Sequence, residues 1–175
     1  AMDFAVSEQA LALRDEVRKF LQSDPGWMAE IGEETESGDG FGPKTWDFLR
    51  KVGSKGWLTP HWPREYGGLG TSYIERYLIF EEFAYFMAPI ILIGVNIAGP
   101  AIMHYGSEQQ KKFFLPRIAR GEIEFALGYT EPDSGSDLAS LKINAVNHGD
   151  HYIINGQKVF NTASHYAQYH WLGAR

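Results

Sequence analysis

Apolar residues recur three and four positions apart along the first part of the chain. Ala10, Leu13, Val17, Phe20 and Leu21 follow Ser7 at that spacing, which predicts an amphipathic helix with Ser7 as its cap. Asp24-Pro25-Gly26 stops it. The stretch from Ala29 to Gly42 is dense in glycine and acid (Glu30, Glu33, Glu34, Glu36, Asp39) and is expected to be a mobile, solvated loop. Pro43 suits a first helical turn and opens a helix carrying Trp46, Leu49 and Val52. Gly56 to Gly70 reads as a long turn-rich connection. Ser72-Tyr73-Ile74-Glu75 is a capping box that starts a helix running through Phe83 and Met87 and stopped near Pro89. Ser107-Glu108-Gln109-Gln110 is a second one, and its helix carries Phe113, Phe114, Leu115 and Ile118 up to Gly121.

After Gly121 the period shortens. Glu124 to Thr130 is an apolar run of strand length. Leu141, Ile143 and Ala145 then alternate with Lys142, Asn144 and Val146. His148-Gly149-Asp150 reads as a hairpin turn, after which His151 to Ile154 resumes the alternation. Lys158 to Thr162 and Gln168 to Leu172 are further strand candidates. Helices segregated from strands predict an α+β fold: an N-terminal all-helical bundle over 1–122, then an antiparallel β-barrel or sandwich-like domain from 123 to 175. A strand pattern still running at Arg175 suggests a sheet that is incomplete here.

From Ala84 to His104 there is no charged residue, long enough to raise a membrane span. Pro89, Gly94, Asn96, Gly99 and Pro100 interrupt the run, and no Lys/Arg bias flanks it, so a buried core helix is the expectation. The cluster Phe80, Phe83, Tyr85, Phe86 and Met87 is expected in the core.

Composition narrows the chemistry. At 175 residues and 44% hydrophobic, the chain can bury a core without staples. Sixteen basic against 22 acidic residues leave a charge of −6, which argues against nucleic-acid binding. The absence of cysteine excludes thiol catalysis and disulfides. Ala1 before Met2 looks like a processing scar. The acidic start that follows is unlike a signal or transit peptide, so a cytoplasmic protein, or a trimmed mitochondrial-matrix one, is expected. No P-loop, Gly-x-Gly-x-x-Gly, His-Glu-x-x-His or nucleophile elbow occurs, and the scattered histidines make no metal motif.

Two clusters remain. Leu127-Gly128-Tyr129-Thr130-Glu131-Pro132-Asp133-Ser134-Gly135-Ser136-Asp137 runs from a strand into a loop rich in hydroxyls and backbone donors. A polar turn is the plain alternative for it. Lys158-Val159-Phe160-Asn161-Thr162 places an aromatic ring, an amide and a hydroxyl at a strand end, where an ordinary edge strand is the alternative.

Together they resemble the acyl-CoA dehydrogenase family of flavoproteins. Thr130-Glu131-Pro132 with Gly135-Ser136-Asp137 is similar to that family's Thr-Glu-Pro-x-x-Gly-Ser-Asp signature. Tyr152-Ile153-Ile154-Asn155-Gly156-Gln157-Lys158 and Phe160-Asn161-Thr162 resemble its next stretch. Gly56-Trp57, Pro63 to Gly70, Tyr105 to Gln110, Leu115-Pro116 and Gly121-Glu122 resemble its helical domain, in order.

The resemblance implies FAD as cofactor and α,β-dehydrogenation of an acyl-CoA thioester, as in fatty-acid oxidation. In that chemistry a glutamate takes the α-proton while a hydride passes to flavin N5. It implies cofactor contacts at Leu127, Tyr129, Thr130, Gly135, Ser136, Phe160, Asn161 and Thr162, with Ser136 also meeting the pantetheine arm of the substrate. The acyl chain would lie near the helices between Ser72 and Tyr105. It further implies an electron-transfer flavoprotein as electron acceptor, a homo- or hetero-tetramer, and a C-terminal helical domain that brings the catalytic glutamate. No such residue is assignable in this chain, and Glu131 reads as a structural hydrogen-bonding residue. Three positions depart from the pattern: Phe160 stands for the usual tryptophan, Asp133 for a small residue, and Tyr129 for an aliphatic one. A non-catalytic homologous subunit of a hetero-oligomeric dehydrogenase and a same-fold flavin monooxygenase or oxidase are the alternatives.

Overall fold

A computed structural model describes residues 6–24, 26–36, 41–91 and 93–175. Ala1 to Phe4, Pro25 and Gly38-Asp39-Gly40 lie outside them. The chain divides into two compact units, Ala1–Glu122 and Ile123–Arg175.

The first unit is helical. Helix α1 spans Glu8–Ser23, with the Ser7 hydroxyl accepting from the Ala10 N–H, and buries Ala10, Val17 and Leu21. These positions form one stripe at helical spacing, packed along α4, Tyr73–Tyr85. The α1–α4 contact holds a bidentate ion pair. Arg18 Nε and Nη2 donate to the two oxygens of Glu82 at 2.8 and 2.6 Å, and Glu82 is only 1% exposed.

As far as Glu36 the acidic stretch is helix and not the loop its composition suggests. Helix α2 spans Gly26–Glu36. Trp27 and Ile31, one turn apart, turn inward, and the Trp27 ring stacks on Phe48 of α3 (Pro43–Ser54) at 4.6 Å. Glu34 has a specific task. Its carboxylate accepts from the N–H groups of Lys44 and Thr45 and from the Thr45 hydroxyl, capping α3, whose N-cap, Gly42, has no side chain to offer. One apolar stripe and one cap therefore outweigh the acidity.

Both capping boxes form. Ser72 and Glu75 exchange hydrogen bonds at the start of α4, and Ser107 and Gln110 do so at the start of α6, Glu108–Ala119. Helix α4 ends at Tyr85, short of Met87, which takes the left-handed backbone at φ +52°. Of the aromatic cluster expected inside, Phe83 is buried, whereas Tyr85 and Met87 are 78% and 82% exposed. The uncharged run from Ala84 to His104 is not one helix. A π-helical turn at Gly94–Ala98 leads into the short α5, Gly99–Tyr105, because Pro100 cannot donate to a regular helical ladder. No helix among the described residues is long and apolar enough to cross a membrane. Gly121, at φ +68°, ends α6 where an added Cβ would meet the Leu49 carbonyl.

The second unit holds two small, open sheets. Strand β1, Phe125–Gly128, pairs with β4, Tyr169–Leu172, in parallel, with Phe125 opposite Tyr169 and Gly128 opposite Leu172. Strands β2, Asn144–Asn147, and β3, Tyr152–Asn155, form an antiparallel hairpin turning at Gly149 (φ +93°). Leu141 and Ile143 precede β2, because the Glu131 side chain takes up the backbone N–H groups of Lys142 and Ile143. The stretch Lys158 to Thr162 is not a regular strand. It meets β1 only through an isolated antiparallel bridge between Leu127 and Thr162, and Phe160 breaks its extension at φ +54°.

Candidate functional site

Strand β1 is flanked on both edges. β4 runs along one side, and on the other the Leu127 N–H donates to the Thr162 carbonyl at 3.0 Å. One step further, the Val159 N–H donates to the Thr130 carbonyl at 2.9 Å. These two bonds bring together the clusters singled out in the sequence, some thirty positions apart.

Phe160 sits between those bonds, and its ring is 90% exposed. A left-handed aromatic residue costs about 1–2 kcal/mol, and here no burial of its ring offsets that cost. Ala163, also left-handed at φ +66°, is buried and takes hydrogen bonds from Tyr166 and Ala167 on its carbonyl. The turn around it fixes the direction of the segment. The hydroxyls of Thr130, Ser136 and Thr162 make no hydrogen bond among the described residues. Gly135 and Ser136 are exposed, and a Cβ on Gly135 would lie 3.9 Å from the Thr130 methyl, so the signature loop folds back beside Thr130. Leu127, Tyr129, Thr130, Gly135, Phe160 and Thr162 thus belong to one edge region of this unit.

The side chains of two further residues of these clusters bond to β4. The Asn161 side-chain oxygen lies 3.1 Å from His170 Nε2, and the Tyr129 hydroxyl accepts from Trp171 Nε1 at 2.9 Å. Both bonds lead to β4. The His170 ring lies over Gly128, where any added Cβ would strike it. An isolated glycine inside a strand is the one sequence signal for that close approach. Asp133 is 79% exposed with Lys142 Nζ at 3.6 Å, so its charge is turned to water.

Beneath the loop lies an ion pair that sequence reading did not single out. Lys158 Nζ donates to Glu131 Oε1 and to the Tyr129 carbonyl, both at 2.9 Å, and the two charged side chains are 4% and 6% exposed. The Ile143 and Lys142 N–H groups, with Lys158 after them, hold the Glu131 carboxyl down at about 2. Glu131 is therefore an acceptor of structural hydrogen bonds and does not have the basicity of a proton-abstracting group. Among the described residues no cluster of three or more His, Cys, Asp or Glu could hold a metal ion.

An aromatic ring presented to solvent beside unpaired hydroxyls, on an edge stiffened from both sides, suits a flat ring system with polar edges. The isoalloxazine of a flavin is such a group, and the residues present fit it.

Comparison with known proteins places this arrangement in context. The family model described as acyl-CoA dehydrogenase, N-terminal domain, matches residues 7–122, and that described as acyl-CoA dehydrogenase, middle domain, matches residues 126–175. Acyl-CoA dehydrogenase FadE29 of Mycobacterium tuberculosis is 43% identical over 164 residues, covering 93% of this chain and 41% of the relative. Among solved structures, the ChsE4-ChsE5 complex from M. tuberculosis matches with a TM-score of 0.87 at 39% identity, over 99% of this chain and 44% of that one. The Tcur3481-Tcur3483 steroid ACAD matches with a TM-score of 0.85 at 40% identity, over 99% and 45%. The chain spans less than half the length of each of these proteins.

Proposed function

The chain belongs to the acyl-CoA dehydrogenase family, and on that premise we propose that the whole protein is an FAD-dependent dehydrogenase of an acyl-CoA thioester. The observation that carries the reading is the pair of backbone bonds from Leu127 to Thr162 and from Val159 to Thr130. They set an exposed, strained Phe160 between two unpaired hydroxyls.

In this reading Leu127, Tyr129 and Thr130 line the flavin, Thr130 through its hydroxyl. Phe160 packs on the ring face without the indole N–H of a tryptophan. Thr162 offers its hydroxyl to the ring edge, and Gly135 and Ser136 serve the phosphates, Ser136 meeting the pantetheine arm as well. Asn161 is the remaining cofactor contact, its side-chain oxygen 3.1 Å from His170 Nε2. When bound, FAD supplies the hydride acceptor for oxidation at the substrate β-carbon. The chain's own part is to orient: fixed donors need no reorganisation as charge develops on the substrate. The base that takes the α-proton comes from a C-terminal helical domain of the whole protein, and no residue of this chain is assigned to it.

The steroid ACAD among the similar structures supports a CoA thioester of a bulky polycyclic acid as substrate over a simple fatty acyl chain. That the similar ChsE4-ChsE5 structure is a complex of two proteins supports assembly with a homologous second subunit. An electron-transfer flavoprotein is the proposed acceptor.

The test is anaerobic addition of acyl-CoA thioesters to the FAD-loaded whole protein, with its second subunit where one is needed. Bleaching of the flavin band is expected, strongest with a steroid-derived thioester. A yellow protein that no acyl-CoA bleaches would overturn the dehydrogenase reading.

A further inference from the structure

We propose that Lys158 and Glu131 are positioning residues for the flavin: their buried ion pair fixes the Tyr129–Gly135 loop against the Val159–Thr162 segment at the spacing the cofactor needs. The inference rests on the flavin reading above and goes one layer beneath it.

The pair ties together pieces of chain that regular secondary structure leaves apart. Glu131 accepts from Lys142 and Ile143 N–H at 2.7 and 2.9 Å and from Lys158 Nζ at 2.9 Å. Lys158 reaches back to the Tyr129 carbonyl. Glu131 also exchanges backbone bonds with Ser134, closing the loop that carries Gly135 and Ser136. Each bond lands within a residue or two of a candidate flavin contact: Thr130 beside Glu131, and Phe160 two places past Lys158. Lys158 to Thr162 has no strand ladder of its own, only the isolated bridge at Thr162 and the Val159 bond. Its position relative to Thr130 is therefore held by that one backbone bond together with the ammonium that ties Lys158 to Tyr129 and Glu131.

Bulk stability is a poor account of such a pair. Removing two charges from water costs about as much as their attraction returns, and a well-packed apolar pair does as well or better. Direction is what the pair supplies and an apolar pair would not: one ammonium aimed at two fixed oxygens, one carboxylate aimed at two fixed N–H groups.

The experiment uses the whole protein freed of flavin and the double variant Glu131→Gln/Lys158→Met, which leaves no unpaired buried charge. FAD binding is followed by quenching of flavin fluorescence, thermal stability by circular dichroism of the flavin-free protein. The expected result is FAD affinity lowered by about tenfold or more, loss of the resolved shoulder on the flavin band of the saturated variant, and a flavin-free form that melts lower for want of the ionised Glu131 yet is fully folded at the temperature of the binding measurement. Wild-type affinity in the variant overturns the inference. So does an affinity loss accounted for by the fraction of the variant that is unfolded at the binding temperature, because that describes a general stabiliser. Should the double variant not fold, Lys158→Gln, which keeps a donor toward Tyr129, is judged by the same criteria. Wild-type protein that takes up no FAD overturns the flavin reading, and this inference with it, before any variant is compared.

Discussion

Single residues carry the acid response of this protein. Burial, then the nearby Arg76 charge, pushes the His61 imidazole down to about 4 from an ordinary 6.5. The Ile143 and Lys142 N–H groups hold Glu131 at about 2 against an ordinary 4.5. In both cases the unfolded chain binds the proton more readily than the folded one, so stability is full above the ordinary value and lost as pH falls toward the folded value. The helical unit is therefore expected to weaken between about pH 6.5 and 4, and the strand unit between about 4.5 and 2. Thermal melts across that range check this: His61→Asn should flatten the first decline and Glu131→Gln the second. A variant that keeps its wild-type slope would refute the assignment. At this scale the sequence was only partly legible. Thr130, Gly135 and Thr162 were singled out through the family resemblance, since taken alone their loop reads as a polar turn and their segment as an edge strand. Lys158 was not, since a lysine in a polar stretch is normally solvated. Nor was the bond of Asn161 to His170, a pairing that exists only once β4 lies beside β1.

At the scale of elements, local chemistry was the reliable guide. Both capping boxes, the Ser7 cap and the Pro43 start are decided by groups within a few residues of one another, so the sequence specifies them directly. Ser72→Ala should cost about 1 kcal/mol of helical-unit stability. Chemical denaturation measures it, and a change within experimental error would mean that packing alone places the start of α4. The misreadings share a cause. Helix α2 was hidden because its acids look solvated until α3 offers Glu34 a bare N-terminus to cap. Lys158 to Thr162 has strand propensity, but a left-handed Phe160 is set by surroundings that no local pattern encodes. The uncharged run to His104 was read as one helix because its lack of charge outweighed Gly94, Gly99 and Pro100.

For the molecule as a whole, the change from helical to strand periodicity near Gly121 made the α+β character readable, since the two periods are physically distinct. The pairing within the second unit was not readable. The parallel β1–β4 contact joins segments separated by the whole hairpin, and only the assembled unit fixes it. The same limit applies to function: the chain holds a candidate cofactor edge but no assigned base. The 175-residue chain by itself is thus expected to turn over no acyl-CoA, even with FAD supplied. An electron-acceptor dye assay checks this, and measurable dye reduction would place the base within these residues.

The Arg18–Glu82 contact governs how the helical unit can breathe. For the N-terminal helix to peel away, it would have to strip the guanidinium from a carboxylate that water scarcely reaches. Fraying that stops at the first turn is cheap, whereas undocking past Arg18 is not. The two helices therefore open together or not at all, as one cooperative block, and a proteolytic nick near the N-terminus leaves the remainder latched in place.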